Sequence, residues 1–258
     1  MLLAVLAALI LQTTGMPGDA RQLSLGEPQV VGEVDTGKVK GDIVRLAWST
    51  DASELYLQSI ERDGRGNVKA THHYSMALAG KSLKTLDREP EWAAAYWTWK
   101  SGQASPAAAS FKIAVDSEKK TVRSTAAPMG GAMAKGGTAD PSAGSTLGDV
   151  ASAADQTQMQ QVYTLKLKGD TIGVWTNEPV MPGVNFSWSP SPLRYLVFAK
   201  REGGPLTVVD ESGRKQELKG TKAAFVPAWS NDGKRIAWLE RKDKKKFDLT
   251  IADISEAR

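Results

Sequence analysis

His72 and His73 are the only histidines in the chain, and there is no Cys. Histidine is a frequent general base and metal ligand, so a Ser-His-Asp triad would have to use one of these two residues. Adjacent residues on a strand point to opposite faces, which makes a shared ligand site unfavourable. The G-x-S-x-G sequence of α/β-hydrolases is absent. We therefore interpret both histidines as ordinary strand residues and expect no catalytic residue and no metal site.

Two glycine-containing stretches invite comparison with nucleotide-binding loops. Gly80-Lys81-Ser82 matches the end of a P-loop, but Ser75 stands where the first glycine is required, and the segment reads as a hairpin. Gly64-Arg65-Gly66 lacks the third glycine of a dinucleotide fingerprint. Four acidic residues recur at repeat positions rather than as catalytic pairs: Asp51, Asp210, Asp232 and Asp253. The sequence thus predicts no cofactor and no enzyme.

The densest charge is the basic run Arg241-Lys242-Asp243-Lys244-Lys245-Lys246, in a chain of net charge +4. Such a run can contact nucleic acid or another anionic surface. It can also be the solvated tip of a hairpin, and the strand-like segments on either side favour this second interpretation. We expect no nucleic-acid partner, and a basic surface that binds an anionic polymer through Lys242–Lys246 stays an alternative.

The elements that would position any site are internal repeats. Three strings share a Trp-Ser pair followed by a β-rich stretch: Leu46–Asp51, Phe186–Ser191 and Pro227–Asp232. Trp188 and Trp229 lie 41 residues apart, within the roughly 40–45 residues of a propeller blade. A weaker copy starts at Pro90-Glu91-Trp92, and the alternation in Trp97-Thr98-Trp99 predicts a strand with one buried face. A carbohydrate platform on Trp97 and Trp99 is the alternative for that strand.

The Trp-Ser unit has a readable physical logic. Its Trp would lie on a strand face and cover the neighbouring blade. Ser and the following Asp supply side-chain acceptors for backbone amides at a tight bend, and Asn231-Asp232-Gly233 supplies a residue with positive φ. Alternating segments with Gly turns then predict antiparallel hairpins, for example Val162–Thr176 and Leu206–Leu218. Repetition around an axis buries both faces of each sheet.

These residues resemble the repeat of TolB-like β-propellers, relatives of the WD-repeat proteins, whose blade reads like P-x-W-S-P-D-G-x-x-I-A-F. The likeness is closest at Pro227–Asp253, good at Phe186–Leu218 and fair at Leu46–Leu86. It implies an all-β propeller of about four antiparallel blades, with five blades or an incomplete ring as alternatives. It also implies that loops on one face bind the partner.

The last repeat ends one strand short of a full blade. The strand-like segment Gln29–Val34 precedes the first Trp-Ser unit, and we predict that it supplies the missing outer strand and closes the ring.

Two further segments lie outside the repeats. Residues 1–20 contain the apolar run Met1–Leu11, which is shorter than the roughly 20 residues of a membrane span and fits a secretory signal peptide; no other segment approaches transmembrane length. Residues 21–258 then form one propeller domain. Within it, the Gly-, Ala- and Ser-rich stretch 124–161 is predicted to be a disordered insertion.

Taken together, the sequence predicts a non-catalytic propeller scaffold that binds a protein, a peptide or a cell-envelope component. An exported bacterial protein, periplasmic or secreted, is the expected setting. The alternative is a propeller-type enzyme or its remnant, either peptidase-associated or like a sugar lyase, and the oligomeric state is left open.

Overall fold

The computed structural model describes residues 23–80, 82–101, 113–123, 157–176, 184–190, 193–199 and 204–256. These residues form sixteen strands and one helix, and the strands make four antiparallel sheets in a four-bladed propeller. Residues 1–20, which are predicted to be a signal peptide, lie outside the described residues.

Blade 1 is a four-stranded meander that follows the first Trp-Ser string. Two strands precede it in the chain, β1 (Leu23–Leu25) and β2 (Gln29–Asp35). The blade itself contains β3 (Asp42–Trp48), β4 (Glu54–Arg62), β5 (Val68–Ala77) and β6 (Leu83–Leu86).

Blade 2 departs from the sequence prediction at its start, because Glu91–Ser101 is a helix, α1, and not a strand. Three consecutive alanines, 93–95, follow Pro90 and the acidic Glu91, and this composition favours the first turns of a helix over a strand. Local helix propensity thus overrides the Trp97-Thr98-Trp99 alternation. The blade then has three strands, β7 (Ile113–Arg123), β8 (Thr157–Leu167) and β9 (Asp170–Thr176).

The predicted disordered insertion 124–161 is wrong in its last five residues. Residues 157–161 belong to β8 and pair with β7, with Gln161 opposite Lys119 and Thr157 opposite Arg123. Residues 157–161 form the polar first part of β8, and the buried apolar residues of the strand follow in its second part. Residues 124–156 lie outside the described residues.

Blades 3 and 4 follow the predicted order of strands. Blade 3 contains β10 (Phe186–Trp188), β11 (Tyr195–Ala199), β12 (Leu206–Asp210) and β13 (Lys215–Glu217). Blade 4 contains β14 (Ala224–Trp229), β15 (Arg235–Arg241) and β16 (Lys246–Glu256).

The outer strand of blade 4 comes from the N-terminal part of the chain, as predicted. β2 pairs antiparallel with β16, with Val34 opposite Phe247. β1 adds a second pairing near the end of β16, with Leu25 opposite Ile254, which the sequence did not reveal. Val34 is fully buried between blades 1 and 4, so the closing strand contributes to the core as well as to the sheet.

The first strands of blades 1, 3 and 4 meet around the axis, where β14 contacts both β3 and β10. Helix α1 takes the corresponding place in blade 2. It contacts β3, and the buried Tyr96 hydroxyl donates a hydrogen bond to the Trp229 carbonyl on β14, 2.9 Å away. The helix therefore substitutes for an inner strand by the same contacts across the axis.

The repeat Trp of each blade packs towards the blade that precedes it in the ring. Trp48 of blade 1 donates its indole N–H to the Ala228 carbonyl of blade 4, at 3.0 Å. Trp229 of blade 4 stacks on Tyr195 of blade 3, with ring centroids 6.3 Å apart.

The other two blades show the same arrangement. Trp92 on α1 of blade 2 meets Tyr56 of blade 1 edge to face. Trp188 of blade 3 shares a buried cluster with residues of blade 2, among them Leu165 and Trp175. The predicted covering of one blade by its neighbour is confirmed.

Candidate functional site

The Ser and Asp residues of the repeat lie in bends between the first and second strands. The Ser49 hydroxyl accepts from the amide of Glu54 at 3.0 Å and donates to Asp51 Oδ1 at 2.7 Å. Ser230 repeats this with the amide of Arg235 and with Asp232. Side-chain groups thus satisfy backbone donors that the bend exposes, so these residues are structural, as predicted.

Their carboxylates have lowered pKa values for this reason. Hydrogen bonds from the Ser49 hydroxyl, and then from the hydroxyl and amide of Ser53, lower the pKa of Asp51 to about 2. At Asp232 burial opposes ionisation, but the hydrogen bonds from Ser230 and from the amide of Lys234 outweigh it, and the pKa is lowered. A pKa shift that is explained by a turn gives no sign of catalysis.

The two histidines have different partners. His73 Nδ1 lies 2.6 Å from the hydroxyl of Tyr56, and His72 Nε2 lies 3.4 Å from Glu61 Oε2. Burial raises the pKa of Tyr56 to about 12, so its phenol stays protonated. Within the described part of the chain, no group of three His, Asp or Glu side chains could hold a metal ion.

The two glycine stretches are turns. Gly80 donates its amide to the Ala77 carbonyl after β5, while Lys81 is outside the described residues. Asp63 Oδ1 accepts from the amides of Arg65 and Asn67, which closes the Gly64–Gly66 turn. Trp97 and Trp99 lie on α1, and their side chains are outside the described part of the structure.

The basic run forms the tip of the β15–β16 hairpin, as predicted. Lys246 Nζ lies 3.0 Å from Glu33 Oε1 on the closing strand, and Lys242 Nζ lies 3.3 Å from Glu33 Oε2. These hydrogen bonds, first that of Lys246, lower the pKa of Glu33. The backbone of the tip is tied to Asp243, whose carboxylate accepts from the amides of Lys245 and Lys246. Two of the five cations of the run, Lys242 and Lys246, thus have ion-pair partners within the protein.

A cavity of about 840 Å³ opens where the first strands of the blades begin. All four blades contribute to it, which places it around the propeller axis. Its described lining residues lie at or near the starts of β3, β10 and β14, at the ends of β4, β9, β11 and β15, in the turn after β2 and in the β15–β16 hairpin. They are Thr36, Gly41, Asp42, Ile43, Val44, Arg62, Trp175, Thr176, Val184, Asn185, Ala199, Ala224, Phe225, Val226, Pro227, Leu239, Arg241, Lys244 and Phe247.

Positive charge exceeds negative charge in this lining. Arg62, Arg241 and Lys244 are its cations, and Asp42 is the single carboxylate among the described lining residues. The Arg62 guanidinium donates to the Gly66 carbonyl at 3.0 Å. The described lining contains no His and no Ser. The arrangement suits recognition of a ligand that carries negative charge.

Blade 4 supplies the most distinctive part of the lining. Phe225 and Phe247 meet edge to face, with centroids 5.7 Å apart and planes at 87°. The guanidinium carbon of Arg241 lies 4.6 Å from the Phe225 ring centroid and 5.8 Å from that of Phe247. Both contacts are within the range of cation–π attraction. The cavity thus combines apolar surface with a restrained cation.

The sequence prediction identified no residue of this cavity as a site, but the repeat contains a signal for it. The residue four positions before the Trp is Val44, Val184 or Phe225 in the three clear copies, and all three line the cavity. The repeat register therefore marks a ring of positions around the axis. Only Phe225 is aromatic there, which singles out blade 4.

No helix among the described residues has the length and apolar character needed to cross a membrane.

Comparison with known proteins adds little to this description. No family model matches the chain, and no curated protein matches it. Among solved structures, the chain is similar to one from Agrobacterium tumefaciens described as a "putative TolB", with 14% sequence identity and a TM-score of 0.22. The match covers 84% of this chain and 62% of that one, so the chain spans less than two thirds of its length. The fold described here rests on the four sheets and their pairing.

Proposed function

We propose that this chain is a non-catalytic β-propeller scaffold that binds a protein or peptide in the axial cavity. The observation that carries the proposal is the cavity itself, since elements of all four blades form its lining. Its volume of about 840 Å³ lies within the roughly 300–1,000 Å³ of typical ligand sites. The resemblance of the Trp-Ser repeat to TolB-like propellers supports a binding role on one face.

The lining favours binding over an enzymatic role. A hydrolase or lyase often uses His as its base or Ser as its nucleophile. The described lining contains neither, and it offers one carboxylate, Asp42, beside three cations. The ion pairs of Lys242 and Lys246 with Glu33 also weaken the alternative of an anionic-polymer binder, because they use charges that such a surface would need.

We further propose that the protein acts in the periplasm or outside a bacterial cell. The apolar run Met1–Leu11 and the small residues before Arg21 support a cleaved signal peptide. Mass spectrometry of the protein recovered from the cell envelope tests this: we expect a mature N-terminus close to Arg21. Recovery of the intact N-terminus from the cytoplasm would contradict it.

A matched pair of variants tests the cavity. Thr176→Trp puts an indole at an exposed lining position of β9, and Lys84→Trp puts the same side chain on the outer strand of blade 1, outside the cavity. Purified protein is used to capture partners from an envelope extract, and bound proteins are quantified by mass spectrometry. We expect a partner that the wild type and Lys84→Trp retain and Thr176→Trp loses. Equal capture by all three proteins would refute binding in the cavity.

A further inference from the structure

Arg241 is held against two aromatic rings at the edge of the axial cavity. Its guanidinium lies over Phe225 and Phe247 at the distances given above. Both contacts restrain the side chain through attraction of its charge to a ring, and neither neutralises that charge. The N–H donors lie in its plane, so a bound anion can accept two of them side by side. This arrangement prepares the group for a planar acceptor such as a carboxylate.

No carboxylate within the described part of the chain forms an ion pair with Arg241 or Lys244. Lys242 and Lys246 of the same hairpin differ from these two residues, because both form an ion pair with Glu33 on the closing strand. The cations of the hairpin therefore fall into two groups, according to whether they contact the closing strand or line the cavity. One group is neutralised at the closing strand, and the other faces the cavity, where a ligand can supply the missing negative charge.

Apolar surface lies directly beside this charge. Phe225, Phe247 and Leu239 line the same part of the cavity as Arg241, and both rings are only half-buried. An inorganic anion would pair with the guanidinium but leave this surface exposed to water. A polyanion would require a run of phosphate contacts, whereas the cations here lie within a concave site. A carboxylate next to an apolar side chain would both pair with the guanidinium and cover the apolar surface.

We propose that the axial cavity recognises a peptide carboxylate adjacent to an apolar side chain, with Arg241 as the carboxylate ligand and Phe225 and Phe247 as the apolar contact. This inference rests on the proposed function and specifies its ligand. An Asp or Glu side chain and a free C-terminus offer the same chemistry. Amidation of the peptide distinguishes the two sources.

The test uses fluorescence polarisation of the full chain with fluorescein-labelled hexapeptide pools. Four pools carry Asp-Phe, Glu-Phe, Asn-Phe or Gln-Phe at fixed central positions, each with a free or an amidated C-terminus. A bidentate, charge-assisted pair predicts that acidic or free-carboxylate pools bind at least about tenfold more tightly than their neutral isosteres. Arg241→Gln is expected to abolish this preference, and Lys84→Gln on the outer strand of blade 1 to keep it.

Arg241→Lys provides a second variant that keeps the charge but loses the paired donors, and we expect it to retain only part of the preference. Thermal melts verify that each variant is folded, and if Arg241→Gln is not, Arg241→Lys decides the test. Equal affinity for acidic and neutral pools, or an undiminished preference in Arg241→Gln, would overturn the inference. So would competition by inorganic phosphate or heparin as effective as that by the acidic peptide.

These outcomes also separate the inference from the function on which it rests. If neutral pools bind as tightly as acidic ones and Thr176→Trp abolishes binding of both, the cavity binds peptides without carboxylate recognition. If no pool binds, or if Thr176→Trp leaves binding unchanged, the axial cavity is not a peptide site and both proposals fail.

Discussion

Truncating Val34 tests whether the N-terminal strand holds the ring together. Val34 is 0% exposed on β2 and packs between blades 1 and 4, whereas Val30 on the same strand is 55% exposed. Val34→Ala removes two buried methyl groups, worth about 1.6 kcal/mol at about 0.8 kcal/mol each. The cavity left behind raises the expected loss of unfolding free energy to about 2–3 kcal/mol. Val30→Ala changes the strand propensity equally but should cost no more than about 0.5 kcal/mol.

The assay is urea unfolding of the two variants and the wild type, followed by both Trp fluorescence and far-ultraviolet circular dichroism. Trp48 and Trp229 are buried at blade interfaces, so their emission reports on the ring, while dichroism reports on the sheets. We expect the Val34→Ala midpoint to fall in both signals together. If Val34→Ala and Val30→Ala unfold at the same urea concentration, β2 does not belong to the cooperative unit and the closure argument is wrong.

Three further changes probe the scaffold. Tyr96→Phe removes the hydrogen bond to the Trp229 carbonyl and should cost about 1–3 kcal/mol of unfolding free energy, since it leaves a buried acceptor unpaired; an unchanged urea midpoint would contradict the placement of α1 at the axis. Ser230→Ala unpairs the amide of Arg235 and should cost a similar amount, whereas a midpoint within error of the wild type would argue against a structural bend. Asp51 has a pKa of about 2 owing to its hydrogen bonds from the serines at 49 and 53. Its contribution to stability is complete above the unfolded pKa near 3.9 and is lost as pH falls through about 2, so Asp51→Asn should flatten the pH dependence of the melting temperature between pH 4 and 2; equal slopes would refute this.

The parts of the fold that sequence reasoning predicted are those that short patterns determine. A Ser that satisfies a backbone amide and a Gly with positive φ at position 233 act within a few residues, so their chemistry can be read locally. The closing strand was also predictable, although its partner lies at the opposite end of the chain. An incomplete last blade requires one more strand, and the alternating segment before the first blade meets that requirement.

Sequence reasoning failed where two local patterns compete. Residues 91–101 carry both a β-like alternation of Trp and an Ala-rich stretch, and the helix propensity of the alanines, together with packing at the axis, decides between them. Tyr96 and Ala93 are buried in the resulting helix, which makes the contacts that an inner strand would otherwise make. The end of the insertion was predicted wrongly for a different reason. The composition of residues 157–161 is typical of a loop, and only their pairing with β7 identifies them as part of a strand.

The cavity could not be predicted as a site, because its residues are distant in sequence and ordinary in type. Arg241 and Phe247 stand at the two ends of a charged run that suggests only a solvated tip, and Phe225 precedes the Trp-Ser pair without belonging to it. What joins them is the hairpin geometry of β15 and β16, together with the start of β14 beside it. A pairing register is needed before these three side chains can be placed together.

The same hairpin thus contacts the closing strand and faces the cavity in which we propose that a peptide binds. Through Lys242 and Lys246 it contacts Glu33 on the closing strand, and through Arg241 and Lys244 it faces the cavity. A ligand that binds only when the hairpin is correctly placed will stabilise the closed ring, by a free energy that grows with ligand concentration relative to the dissociation constant. Conversely, a weakened closing strand, as in Val34→Ala, should lower ligand affinity although Val34 does not line the cavity. The Trp-Ser repeat builds blades 1, 3 and 4, and blade 4 joins ring closure to an aromatic and cationic part of the cavity lining.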